Sequence, residues 1–385
     1  MTKLYIIRHA EAEGNLFRRI HGHYNSNVTH DGLKQIAALE RRFQGETIDV
    51  CYSSDLVRTR VTARAVYEPR DLPLRLEPGF REVNLGPWED LPFGLLEREQ
   101  RDQLAAFSHR PREWHVDGAE DFLVYQRRFL DTLERVAQYH DGSTVAIFTH
   151  GCVIRAMLEG LFPGQEAGHC DNTGVTLLEY DGGQYREIYR NDNSHLPEQL
   201  STFAKQNWWR KERLQRDRNL WFRPLGNDPQ WYVQCRREAW EGIYGPGSFP
   251  DGAAYYADAV GRAAGEPWAI CQAMLGEEPA GLLQLDWNRG AEQRVGYIPF
   301  LYLLPQFRRL GLGVQLIGQA VSFYRRLGRT HLQLAVSPEN PGAVRFYQRY
   351  GMTQAGTVAG AGKTLWLMDF NMDLTRDLEP ALIKI

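Results

Sequence analysis

Three short apolar runs, each followed by an amphipathic segment, constrain the first half of this chain most strongly. They have the length of buried strands, at LYIIR (4–8), VCYSS (50–54) and STVAIFT (143–149). Amphipathic helical patterns lie between and after them, and Thr29 is placed to cap the one at 32–43. This alternation predicts a three-layer α/β domain with a largely parallel sheet. Asp181-Gly182-Gly183, between two further strand runs, predicts a hairpin.

The second half shows no repeat of the first and predicts a separate domain with a mixed sheet. The expected strands are at 268–275, 280–286, 295–305, 331–337 and 364–372, and the expected helices at 229–241, 312–327 and 341–349. Between the halves, residues 205–223 carry seven basic against two acidic residues. We therefore expect domains at 1–196 and 220–373, a basic helical linker at 197–219 and a tail at 374–385.

Charge and composition exclude several classes of function. The chain has 385 residues, too many for one usual core, and 43% of them are hydrophobic. Residues 1–204 hold 23 basic against 31 acidic residues, and residues 224–385 hold 15 of each, so neither domain suits general nucleic-acid binding. The Trp- and Arg-rich tract KQNWWRKERLQRDRNLWFR is interpreted as a docked linker helix rather than a single-stranded nucleic-acid site.

The sequence also carries information on membrane insertion, targeting and cysteine chemistry. No apolar run reaches the ~18 residues of a membrane span, and the N-terminus lacks a signal-peptide layout. Five cysteines form no CxxC pair or zinc spacing. These features predict a reduced cytoplasmic protein with no metal and no membrane partner.

Charged and imidazole side chains follow the strands of the first half. Arg8-His9 ends the first strand, Arg58 lies shortly after the second, and His150 ends the third. Ligands of open α/β sheets bind outside the carboxyl ends of the strands, so these side chains are expected to meet there. Two arginines and two histidines at one edge predict an anion site.

These motifs together resemble the histidine phosphatase, or phosphoglycerate-mutase-like, superfamily over residues 1 to about 196. The resemblance rests on Arg8-His9-Ala10-Glu11 with Asn15, on Ser54-x-Leu56-x-Arg58, on Arg81-Glu82 with Gly86, Trp88 and Glu89, on Thr149-His150-Gly151, and on His195-Leu196. It implies an α/β/α fold and hydrolysis of a small phosphomonoester.

The resemblance also implies roles for individual residues. His9 would be the nucleophile that forms phosphohistidine, and Glu82 the general acid and later base. The phosphoryl group would be held by four side chains, those of Arg8, Asn15, Arg58 and His150. Residues 87–120 are interpreted as a lid over the site. Ala10 stands where the family has glycine, which is expected to be tolerated unless φ is positive there. His21 and His23 are interpreted as surface-loop residues.

A turn in the second half suggests another anion site. Arg308-Arg309-Leu310-Gly311-Leu312-Gly313 precedes a long helix, where free N–H groups can hold a pyrophosphate. A dinucleotide-binding loop would instead follow the first strand of a βαβ unit. With Asn340, Phe346-Tyr347 and Tyr350-Gly351-Met352, residues 220–373 resemble the GNAT acetyltransferase family.

This second resemblance implies an acetyl-CoA co-substrate and a small amine acceptor. Main-chain groups of Leu301 and Leu303 would pair with the pantetheine arm. The pyrophosphate would lie on the turn, which contributes Arg308, Arg309, Gly311 and Gly313. Asn340 would be a further cofactor-binding residue. Tyr347 would protonate the departing thiolate, and the candidate bases are Asp286, Glu292 and Tyr297. The sequence thus predicts a bifunctional enzyme; the alternative is a phosphatase regulated by a non-catalytic acyl-CoA sensor.

Overall fold

The computed structural model describes residues 1–206, 218–360 and 362–378. Residues 207–217 of the predicted basic linker (197–219) and residues 379–385 of the predicted tail (374–385) lie outside the described residues. The chain divides into two compact units. Within the described residues, one unit comprises 1–91, 100–206 and 377–378, and the other 92–99, 218–360 and 362–376.

The first unit is built on a six-stranded mixed sheet. Its strands are β1 (Thr2–Arg8), β2 (Val50–Ser53), β3 (Leu74–Leu76), β4 (Thr144–Thr149), β5 (Val175–Asp181) and β6 (Gln184–Asp192), in the order β3-β2-β4-β1-β5-β6. The first four are parallel, and β5 and β6 are antiparallel additions. This confirms the largely parallel sheet, and β5–β6 is the predicted hairpin.

Helices of the first unit connect these strands. They are α1 (Glu13–Phe17), α2 (His30–Arg42), α3 (Val57–Tyr67), α5 (Arg101–His109), α6 (Phe122–Tyr139), α7 (Gly151–Leu161) and α8 (Thr202–Lys205). Thr29 Oγ1 accepts the N–H of Gly32 at 3.0 Å, so it caps α2 as predicted. The side chains of Leu4, Ile6 and Ile7 in β1 are fully buried, which is why this strand reads as a continuous apolar run.

The predicted lid segment divides between the two units. Trp88, Phe107 and Trp114 pack their rings together with centroids 5.1 to 6.0 Å apart. Helix α4 (Phe93–Glu99), within the same stretch, belongs to the second unit because its contacts are with β7 (Leu220–Pro224). A Cβ on Gly94 would lie 2.5 Å from the Leu220 carbonyl oxygen, so only glycine allows this approach.

The second unit is built on a seven-stranded mixed sheet. Its strands are β7, β8 (Ile270–Leu275), β9 (Glu278–Asp286), β10 (Val295–Leu303), β11 (His331–Val336), β12 (Thr353–Ala359) and β13 (Thr364–Asn371), in the order β12-β13-β11-β10-β9-β8-β7. Its remaining helices are α9 (Pro229–Tyr244), α10 (Gly252–Arg262), α11 (Gly313–Arg326) and α12 (Pro341–Arg349). Only β10 and β11 are parallel to each other, so the sheet is mixed, as predicted.

Candidate active sites

The topology of the first sheet brings both predicted histidines to one point. Strands β1 and β4 are parallel neighbours, with Arg8 opposite Thr149, so His9 and His150 leave the sheet side by side. Their ring centroids are 5.3 Å apart. Both side chains are almost completely buried. The strand ends therefore bring these two imidazole rings together in the interior of the first unit.

The environment of His9 fixes its reactive nitrogen. Nδ1 lies 2.7 Å from the carbonyl oxygen of Ala10, which can only accept, so Nδ1 carries the proton. The lone pair of the neutral ring is then on Nε2. Asn172 Nδ2 donates to the carbonyl oxygen of His9 at 2.8 Å and holds its backbone. Burial, with the charges of Arg58 and Arg8, keeps the pKa of His9 well below its usual range, so the ring is neutral.

Three polar atoms around His9 lack partners. The Nη atoms of Arg58 donate to the carbonyls of Gly22 at 2.7 Å and Tyr24 at 3.0 Å, and Arg8 Nη1 donates to the Cys170 carbonyl. Among the described residues, the buried Nε atoms of both arginines and Nδ1 of His150 have no hydrogen-bond partner. Buried polar groups are nearly always paired, so three such atoms beside one imidazole indicate an anion site.

Burial lowers the pKa of two further side chains of this site, Arg58 and His150. It lowers the pKa of Arg58 to about 10, which leaves the guanidinium charged at neutral pH. It also holds the pKa of His150 well below its usual range, helped by the nearby charge of Arg58. A Cβ on Gly151 would lie 3.2 Å from Arg8 Nε, so glycine after His150 keeps that nitrogen accessible.

Glu82 lies against the first turn of α7. Its carboxylate accepts backbone N–H groups from Cys152 and Val153, each at 3.2 Å, and from Val83 at 3.1 Å. The positive end of a helix favours a carboxylate at this place. Glu82 is 8% exposed. The Glu82 carboxylate is therefore held against the backbone of Cys152 and Val153, two and three residues after His150.

Asn15, His21 and His23 each make a defined contact in the structure. Asn15 Oδ1 accepts the N–H of Ala12 at 3.1 Å, so this side chain caps its own helix, α1. His21 and His23 are half-buried rather than on the open surface. The ring of His21 lies 6.1 Å from that of His9, and His23 Nε2 donates to the Glu82 carbonyl oxygen at 2.8 Å. Gly22 between them adopts φ +55°, a turn signal available in the sequence.

Ala10 causes no backbone strain in this site. It is fully buried, and it is absent from the described residues that have a positive φ. Its N–H donates to Thr62 Oγ1 at 2.9 Å. The extra methyl group is therefore accommodated, as the sequence comparison with glycine led us to expect.

In the second unit, the strand edge expected to hold pantetheine is exposed by a change of pairing. The pairing of β10 with β11 ends at Ile298 opposite Leu334, although β10 continues to Leu303. On its other side β10 stays paired with β9, where Leu301 lies opposite Leu283. The two parallel strands thus separate at 299–303, and among the described residues no strand pairs with the β11-facing edge of Leu301 and Leu303, where an added chain could pair.

The expected pyrophosphate turn has backbone geometry suited to an anion. Arg309 and Gly311 adopt left-handed φ values of 59° and 75°, and both are exposed. When right- and left-handed backbone conformations alternate along a turn, successive N–H groups point to one side. This turn lies directly before the N-terminus of α11, which also favours an anion. Arg308 Nε donates to the Leu303 carbonyl at 2.9 Å, and a Cβ on Gly313 would lie 3.0 Å from the Phe346 ring.

Helix α12 carries the last two candidates. Asn340 Oδ1 accepts the N–H of Ala343 at 3.1 Å, so it caps this helix. Tyr347 is half-buried, and burial raises the pKa of its hydroxyl to about 12. Its phenol is therefore protonated at neutral pH and available as a proton donor.

The three candidate bases have distinct surroundings. Asp286 is buried and paired with Arg262 at 3.1 Å, and it also accepts the N–H of Arg289. The Arg289 guanidinium lies 3.4 Å from the ring centre of Tyr297. Glu292 is exposed.

The side chains and helices of the described residues also bear on metal binding and membrane insertion. They contain no group of three or more His, Cys, Asp or Glu side chains arranged to hold a metal ion. None of their helices combines the length and apolar character needed to cross a bilayer.

Relatives of the first unit are found among curated proteins and solved structures. A metal-independent phosphoserine phosphatase of Arabidopsis thaliana is 29% identical over 199 residues, which are 51% of this chain and 84% of that protein. Phosphoserine phosphatase 1 of Hydrogenobacter thermophilus is 27% identical over 203 residues, 51% of this chain and 96% of that protein. The structure of Bacillus stearothermophilus YhfR is 28% identical with a TM-score of 0.49, covering 51% of this chain and 99% of that one.

Family models match both halves of the chain. Residues 4–193 match the histidine phosphatase superfamily (branch 1), and residues 231–352 match the acetyltransferase (GNAT) family. These matches agree with the two constellations of residues described above. The chain is a fusion of a histidine phosphatase superfamily domain with a GNAT-family acetyltransferase domain.

Proposed function

We propose that the first domain hydrolyses a small phosphomonoester through a phosphohistidine on His9. The observation that carries this proposal is the set of three unpartnered buried atoms, on Arg8, Arg58 and His150, around an imidazole whose free lone pair is on Nε2. A phosphoryl group would supply the acceptors that these atoms lack. The relatives named as phosphoserine phosphatases support the reaction class and make phosphoserine the first compound to test.

The chemistry proceeds in two balanced steps. In the first, His9 Nε2 forms a bond to phosphorus while the ester P–O bond breaks, and Glu82 gives a proton to the leaving oxygen. In the second, Glu82 takes a proton from water, which attacks phosphorus as the N–P bond breaks. The two arginines stabilise charge on the phosphoryl oxygens throughout.

A substitution of the nucleophile tests this proposal. His9→Ala is expected to abolish hydrolysis of p-nitrophenyl phosphate and phosphoserine. After a rapid quench of the reaction with a substrate radiolabelled in its phosphate, acid-labile labelled phosphate should be found on the unmutated protein and not on the variant. His30→Ala is the control, because His30 is an exposed residue at the start of α2. Turnover that survives in the His9 variant would refute the mechanism.

We further propose that the second domain transfers an acetyl group from acetyl-CoA to a small amine. Support comes from the open edge of β10 at Leu301 and Leu303, and from the turn that contains Arg309 and Gly311. The amine nitrogen would attack the thioester carbonyl, and the C–S bond would break. Tyr347 would donate a proton to the departing sulfur, and one of the three candidate bases would take the proton of the amine.

Tyr347→Phe tests this second role. It should reduce acetyl transfer to an amine panel while leaving the Kd for acetyl-CoA, measured by calorimetry, within about twofold of the parent. Tyr324→Phe is the control for loss of a buried hydroxyl, because Tyr324 donates to the Tyr297 carbonyl inside the core. Acetyl-CoA binding by the parent with no transfer to any amine would favour the sensor over the transferase.

A further inference from the structure

A large groove lies in the first domain beside the phosphate site, and nothing described so far uses it. Its volume is about 1310 Å³. Four segments form its walls: the end of α5, one face of α7, the loop 163–169, and Phe203 of α8. All of them belong to the first unit.

Two walls of this groove meet at Arg8. On α7, Gly151 approaches Arg8 Nε, and Arg155 lies one helical turn further along the same face, inside the groove. In the loop wall, His169 precedes Cys170, whose carbonyl accepts from Arg8 Nη1. On both walls, residues that line the groove thus adjoin residues that contact Arg8, so the ester substituent of a phosphoryl group bound by Arg8 would extend toward the groove.

The groove is polar and its charges balance. Arg112 and Arg155 are matched by Glu159 and Glu166. Arg155 is itself held in place, since its Nε pairs with Glu159 at 3.0 Å and its Nη1 donates to the Ser108 carbonyl at 2.7 Å. Such a lining does not favour a strongly charged substituent of either sign.

Its neutral groups suit hydroxyls. Burial, with the charges of Arg155 and Arg8, lowers the pKa of His169 to about 4. Its ring is therefore neutral at neutral pH, and the hydroxyl of Ser108 and the amide of Gln165 are further neutral polar groups of the lining. The ring of Phe203, with Pro163 and Ala167, gives the groove apolar surface as well.

The size of the groove decides what kind of substituent it fits. Pockets of roughly 300–1,000 Å³ hold drug-sized ligands, so this groove is larger than a single amino-acid side chain requires. We infer that it binds the leaving group of the phosphomonoester, and that this leaving group is a polyhydroxylated body of sugar size or larger. The inference rests on the proposed phosphatase reaction and refines its substrate class.

Equilibrium binding to the catalytically disabled full chain tests the inference. With the His9→Ala protein, glucose 6-phosphate is expected to bind at least about tenfold tighter by calorimetry than inorganic phosphate or phosphoserine. Equal affinity for the three compounds, or tighter binding of phosphoserine, would overturn it.

A second substitution in that background locates the gain in the groove. Arg155→Met should bring the affinity for glucose 6-phosphate to within about threefold of that for inorganic phosphate, because its fixed hydrogen-bond donors are lost. Arg64→Met is a matched control. Arg64 has a similar side-chain exposure, 23% against 22%, an i,i+4 pair with Glu68, and an Nη1 bond to a backbone carbonyl, but it does not line the groove. The same loss in both variants would count against the groove.

Failure of this inference is distinct from failure of the proposed reaction. If the unmutated protein hydrolyses p-nitrophenyl phosphate but the affinity order is not found, only the groove assignment is wrong. If no ester is hydrolysed, the proposed reaction is wrong, and the binding measurements still decide the role of the groove.

Discussion

The Ser54 hydroxyl lies 2.9 Å from Nε2 of His150, and both residues are completely buried. Nδ1 of the same ring has no partner among the described residues. A neutral imidazole carries one proton, so the contact with Ser54 determines which ring nitrogen of His150 can donate to a phosphoryl oxygen. Ser54 is therefore a positioning residue for the phosphate site.

Replacement of this hydroxyl should impair hydrolysis without unfolding the protein. Ser54→Ala is expected to lower kcat/KM for p-nitrophenyl phosphate about tenfold, which corresponds to the loss of one hydrogen bond at a buried polar group. Steady-state kinetics with a thermal melt would measure both effects.

Its neighbour offers the control. Ser53 is equally buried, and its hydroxyl donates to the backbone carbonyl of Ser54 at 2.7 Å and not to the ring of His150. Ser53→Ala should change stability alone. Equal losses of kcat/KM in the two variants would mean that Ser54 acts through packing.

The proximity of His9 and His150 at the phosphate site was predictable because it depends on strand order. His9 and His150 each follow a buried strand, and parallel neighbours place such residues together. The roles of His21 and His23 were not predictable in the same way. They reach the site from a loop whose path depends on the left-handed Gly22 and on contacts with distant residues such as Glu82.

The helix-capping contact of Asn15 was not predicted, and its role at the phosphate stays a prediction. A short polar side chain near a helix start can hydrogen-bond its own backbone, and the structure contains this local bond.

In the second domain, β12 was not predicted because TQAGTVA is a mostly exposed edge strand with a glycine inside. The membership of α4 rests on contacts between residues more than a hundred positions apart, such as Glu97 with Asn219.

Acid should destabilise the first domain through its buried neutral histidines. Burial, with Arg42 nearby, lowers the pKa of His195 to about 4 from an ordinary 6.5. Between these values the unfolded chain binds a proton that the folded chain does not, so the free energy of unfolding falls as pH falls. The melting temperature should therefore drop steadily from about pH 7 to about pH 4.

Removal of His195 should flatten this dependence. The amide of His195→Gln can still accept from Arg42 and donate to Thr173, the two partners of the native ring. The variant should lose less melting temperature on acidification than the parent. His30→Gln is the exposed control and should follow the parent; an unchanged slope in the His195 variant would contradict the assignment.

Two helical glycines should respond to alanine with opposite signs. A Cβ on Gly94 would lie 2.5 Å from a backbone oxygen of β7, whereas no described residue lies within 4 Å of one on Gly242 in α9. Gly94→Ala should therefore destabilise the second domain by about 1–3 kcal/mol. Gly242→Ala should stabilise it by about 0.5–1 kcal/mol, because alanine loses less backbone entropy in a helix.

Chemical denaturation of the full chain, followed with hydrogen exchange of β7, would measure these changes. The same contacts predict that a fragment beginning at residue 218 lacks a packed element, because α4 lies far upstream at Phe93–Glu99. A stable, fully protected β7 in the Gly94→Ala protein would show that α4 contributes little.

The turn before α11 should decide acetyl-CoA affinity. Gly311 has φ +75°, which L side chains rarely adopt, and an added Cβ would meet no atom within 4 Å in the part of the chain that the structure describes. Gly311→Ala should therefore shift the turn itself and weaken acetyl-CoA binding about tenfold by calorimetry. Gly328→Ala is matched in both respects, with φ +70° and open space, but it follows the far end of α11. It should bear the same backbone strain and leave the Kd for acetyl-CoA unchanged. An equal loss of acetyl-CoA affinity in both variants would contradict the placement of the pyrophosphate on this turn.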